Sequence, residues 1–159
     1  MRAGCHRAAA LLIVAAVAAV AGGCGGSSAP TRATYGKNVD KLCATLDDRV
    51  SAIQRKAPTT TDELVAFADD LGRVIDDGVR QLSDVKRPDG ADGEKADRWI
   101  KELTRQKDEA IKPALAELKD AARKKDTAAI QRAVQHIQQV DEKRVNQLAR
   151  EAGARSCGD

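Results

Sequence analysis

The groups with the most chemical potential in this chain are few: four cysteines, two histidines and a dense set of acids and bases. A metal site needs three or four Cys, His, Asp or Glu side chains at suitable spacing, and no such cluster can be assembled from this sequence. His136 falls beside the apolar stripe of a helix rather than within it, which suits a solvated helical residue. No Ser-His-Asp set has usable spacing, and no Gly-rich phosphate loop precedes a helix. Acid–base catalysis needs positioned titratable groups, so the sequence predicts a chain that is not an enzyme and carries no cofactor and no metal. One polar feature departs from a plain core. On a helical wheel Lys107 and Asp141 fall inside apolar stripes, with Arg49 and Arg144 at the stripe margins at a similar height. Together they define a candidate binding site between helices for an anionic small molecule or ion. The same placement suits an internal ion pair that fixes helix register, or long side chains that snorkel outward.

The cysteines divide by position. Arg2 and Arg7 lead into an unbroken apolar run from Ala8 to Ala21. As a helix at ~1.5 Å per residue this run reaches about 21 Å, short of the ~30 Å hydrocarbon core. A cleaved export signal is therefore expected rather than a permanent span. Ala21-Gly22-Gly23-Cys24 resembles a bacterial lipobox, although Ala21 stands where Leu or Val is usual. Cleavage there makes Cys24 the lipidated N-terminus. The rival is an ordinary signal peptidase site at Ala16-Val17-Ala18 or Ala19-Val20-Ala21, which gives a plain secreted protein. Cysteine parity separates the two. Cys5 leaves with the signal, and a free Cys24 leaves an odd count in an oxidising compartment, whereas acylation leaves Cys43 and Cys157 as a pair. The expected division is residues 1–23 as signal, 24–34 as a Gly/Ser/Pro tether and 35–159 as the folded body, lipid-anchored on the extracytoplasmic face of the membrane.

Positioning these residues falls to helices. From Cys24 onward the chain has 25 basic and 24 acidic residues, with one Phe, one Tyr and one Trp. So balanced a charge, with no aromatic stacking platform, argues against a nucleic-acid partner. High Ala, Leu, Lys, Arg, Glu and Asp content with few β-branched runs predicts an all-α body. A first helix from about Tyr35–Asn38 to Lys56 carries Val39, Leu42, Cys43 and Leu46 on one stripe, and Pro58 stops it. Thr60 and Glu63 form a capping box for a second helix, which runs to Lys86-Arg87-Pro88 with Gly78 on its inner face. A third spans about Glu94 to Lys124, and Pro113 inside it predicts either a kink or a division at Lys112. Asp126 or Thr127 caps a fourth, continuous to Ala152, with Gly153 closing it.

Short connections make these an up-down-up-down four-helix bundle. An even number of helices returns the tail to the end where the first began, which brings Cys43 and Cys157 together. With three or five long helices the two would lie ~35 to 40 Å apart, far beyond the ~7 Å Cα limit of a disulfide. A bundle closed by one disulfide between the first helix and the C-terminal tail is therefore expected.

The layout of a lipobox-like start, a Tyr, one Cys in the first helix, a basic-Pro turn (Val85-Lys86-Arg87-Pro88) and an Ala/Gly segment before a final Cys (Ala152 to Gly158) resembles small exported helical lipoproteins of high-GC Gram-positive bacteria. The resemblance implies a cell-envelope location and a disulfide-closed bundle, and it transfers no catalytic residue. The function expected is a non-enzymatic structural or adaptor module of the envelope. Its partners would be membrane lipid, through acylated Cys24, and an envelope protein. The alternative is a small-molecule or ion-binding lipoprotein using the Lys107/Asp141 region. A binder should show a mid-bundle cavity of several hundred cubic ångströms, and an adaptor a filled core with a contiguous apolar patch outside.

Overall fold

A computed structural model describes residues 28–140 and 142–157; Cys24 and Asp141 lie outside them. Helix α1 (Arg32–Gln54) starts inside the expected tether. Thr31 follows Pro30 and caps it, its hydroxyl accepting the Thr34 N–H at 3.2 Å. Helix α2 (Thr61–Asp84) opens with the expected capping box: Thr60 Oγ1 accepts the Glu63 N–H, and the Glu63 carboxylate accepts the Thr60 N–H. Helix α3 (Gly90–Gln106) also begins earlier than its apolar pattern does.

The third rod neither divides nor ends at Pro113. A π-helical turn, Lys107–Ile111, joins α3 to α4 (Lys112–Arg123). There the Lys112 N–H donates to the Lys107 carbonyl, a five-residue step. Proline cannot donate to the carbonyl four residues back and its ring crowds that carbonyl. The widened turn just before it absorbs both problems while the helix stays continuous.

The fourth rod does divide. Helix α5 (Thr127–Gln138) and helix α6 (Lys143–Ala152) are separated at 139–142. An unbroken helix would carry position 141 into the apolar stripe, where burying an unpaired carboxylate would cost several kcal/mol, of order 3–5.

The bundle is all-α, with no strand among the described residues, and none of their helices is long and apolar enough to cross a membrane. Antiparallel neighbours pair as α1 with α2, α2 with α4, α4 with α5, and α3 with α6. At the end where α1 starts and α6 finishes, Tyr35, Val39, Trp99, Leu148 and Ala152 pack into one core cluster. Toward the other end Ala68, Leu115, Leu118 and Ala133 form a second, separate cluster. Cys43 and Cys157 are bridged, with Cα atoms 5.6 Å apart, so the disulfide ties α1 to the tail as the helix count required. The Ser156 N–H donates to Asp40 at 2.9 Å and anchors the same junction. Beside it, Gly36 of α1 lies so close to the Gly153 carbonyl that a Cβ at position 36 would overlap it.

Candidate functional site

Of the four charged positions singled out by the helical wheel, Asp141 lies outside the described residues, and Lys107, Arg49 and Arg144 each find separate partners. Lys107 leaves the stripe: its Nζ lies 2.7 Å from Asp108 and 3.2 Å from Asp76 on α2. Lys112 shares both carboxylates, at 3.2 and 3.0 Å. Arg49 donates to Asp77 on α2 at 2.7 Å, where Arg80 and Gln81 also bind. Arg144 is exposed on α6, near Glu102. A four-carbon stem lets an ammonium rooted in the apolar stripe reach the rim, and α2 supplies the acids that draw it there.

These pairs are ordinary in strength but consistent in sign. Lys112, and after it Lys107, holds the Asp76 carboxyl below the usual carboxylate range despite an opposing push from desolvation. Lys107 and then Lys112 do the same for Asp108, and Arg49 and then Arg80 for Asp77. Lys107 and Asp77 are mostly covered while Asp76, Asp108 and Lys112 are about half exposed, and the pairs to Asp76 register the third rod against α2.

What lies mid-bundle instead is a cavity of about 440 Å³. It sits between the two core clusters, at the level where the third rod bulges and the fourth divides. Gln106, just before the π turn, and Ile111, its last residue, form one wall, while Ile137, Val140 and Val145 line the cavity around the break. Leu71 and Ile75 of α2 contribute further apolar surface. Cys43 and Cys157 form part of the wall, so the disulfide borders the cavity. Trp99 stands in the wall almost wholly buried, at 1% exposure, and its indole N–H has no acceptor among the described residues. Asp47, Glu142 and Ser156 are exposed and mark where the cavity meets solvent.

Two irregularities at one height explain the gap. A straight third rod and a continuous fourth would bring Leu- and Ile-bearing faces together and fuse the two clusters. With the fourth rod divided, α5 packs on α4 and α6 packs on α3, and the space between is left unfilled. Lys107 does not line the cavity, and Asp141 lies outside the described residues. Among the described residues no basic side chain lines the cavity, and the polar groups there include Asp47, Gln106, Glu142, Asn146 and Ser156.

His136 lies 3.0 Å from Glu117 on the outer face of the α4–α5 hairpin, exposed. Among the described residues no group of three or more His, Cys, Asp or Glu side chains could hold a metal ion. No family model, no curated protein and no solved structure matches the chain.

Proposed function

We propose that this chain is an extracytoplasmic lipoprotein, anchored through acylated Cys24, whose bundle holds an apolar small molecule between its helices without chemically changing it. The observation that carries the binding half is the 440 Å³ cavity bounded by all four rods and the disulfide. That volume falls in the range of small-molecule pockets, roughly 300–1,000 Å³. The export half is supported by the N-terminal apolar run, the lipobox-like Gly-Gly-Cys24 and a disulfide suited to an oxidising compartment.

An envelope adaptor is the second reading. It is favoured by an open groove between the end of α1 and the start of α2, where Ile53 and Phe67 are half-buried. Against it, Val134 is the exposed large hydrophobic among the described residues, at 36%, and it does not form a patch.

The sole tryptophan lines the cavity, so it serves as an internal donor for energy transfer. The exported, disulfide-closed chain carrying Cys24→Ala, which cannot be acylated, is titrated with the uncharged probe N-phenyl-1-naphthylamine. Transfer from Trp99 is expected, and Val140→Phe, which narrows the cavity, is expected to weaken it. Absence of transfer in the unaltered protein would refute the binding reading.

A further inference from the structure

The cavity's lining groups specify the head of its ligand as well as its body. Its volume of about 440 Å³ lies in the small-molecule range of roughly 300–1,000 Å³. At the inner wall the Trp99 ring contributes apolar surface, its indole nitrogen buried out of reach of the space. Gln106, the other buried polar side chain there, is already engaged. At the mouth stand two carboxylates, Asp47 and Glu142, with no lysine, arginine or histidine among the described residues lining the space. An anionic head would find no countercharge and two like charges.

We propose that the cavity selects a non-anionic amphiphile, with an apolar body and a hydroxyl-bearing or cationic head at Asp47 and Glu142. This specification rests on the cavity being a ligand site, and it differs from the anionic ligand expected from the helical wheel. A monoacylglycerol has the required parts: a single chain and free hydroxyls to donate to the carboxylates.

Glycerol monolaurate and laurate share one chain and differ in the head, so they separate body from head. Each is titrated by calorimetry, below its aggregation concentration at pH 8, into the exported disulfide-closed chain carrying Cys24→Ala. Glycerol monolaurate is expected to bind at least roughly fivefold more tightly than laurate. Asp47→Asn with Glu142→Gln is expected to bring laurate within about twofold of the ester. Equal binding of the two probes to the unaltered chain, or a preference for the ester that survives Asp47→Asn with Glu142→Gln in a variant that melts like the parent, would overturn the head assignment and leave the cavity reading standing. If neither probe bound the unaltered chain, both would be overturned.

Discussion

At the scale of single residues, Gly36 and Lys107 show opposite lessons. Gly36 is buried on α1, where its missing side chain lets the α6 cap approach within backbone contact. Gly36→Ala should therefore cost at least about 2 kcal/mol despite alanine's better helix propensity, because the Gly153 carbonyl cannot rotate away as a side-chain tip would. A thermal melt is expected to show a fall of roughly 5–10 °C. Nothing in the sequence pattern marked Gly36, since its neighbour is more than a hundred positions away. Lys107 was visible as an oddity on the wheel, but a wheel fixes where a side chain is rooted, not where it ends. The carboxylates of Asp76 and Asp108 decide the latter.

Elements were legible where local chemistry determines them. The Thr60/Glu63 box, the Asp126 cap, whose carboxylate accepts the Ala129 N–H at 3.0 Å, and the Gly153 stop all stand where their residue types placed them. The α4–α5 turn held a surprise. Lys125 adopts a left-handed conformation, φ 55°, while the Lys125 and Asp126 N–H groups donate to the Ala122 and Ala121 carbonyls. That is the position a glycine usually fills. Lys125→Gly is thus expected to stabilise the protein by about 0.5–1 kcal/mol, measured by urea denaturation with an unchanged slope. Less legible were the two irregularities. Pro113 announced trouble in the third rod, but whether a helix kinks, divides or widens depends on what packs against it. The break at 139–142 had only a single acidic residue in an apolar stripe to signal it, and the same signal had suggested a charged binding site. The cavity is a product of both breaks at one height, a coincidence visible only once the rods are stacked.

For the whole molecule, two properties follow from how distant segments are joined. Asp76, Asp77 and Asp108 have folded-state pKa values below their unfolded ones, through Lys112, Arg49 and Lys107 respectively. Their contribution is therefore present above the unfolded carboxylate pKa of about 4 and is lost as pH falls through the lower folded values. The melting temperature should hold level from about pH 8 to 5 and decline below about pH 4. Asp76→Asn with Asp77→Asn should shallow that decline. The disulfide has a larger effect, since it joins residues 114 positions apart. Cys43→Ser with Cys157→Ser should cost about 2–5 kcal/mol in chemical denaturation. Because both cysteines wall the cavity, it should also weaken uptake of N-phenyl-1-naphthylamine.

Native mass spectrometry of the protein gently extracted from membranes of the cells that make it tests the central claim most directly. The account predicts a chain that begins at an acylated Cys24, lacks two hydrogens for its disulfide, and carries a non-covalent passenger whose retention Val140→Phe lowers. An unacylated chain with free thiols, or an acylated one that carries no passenger, would contradict it.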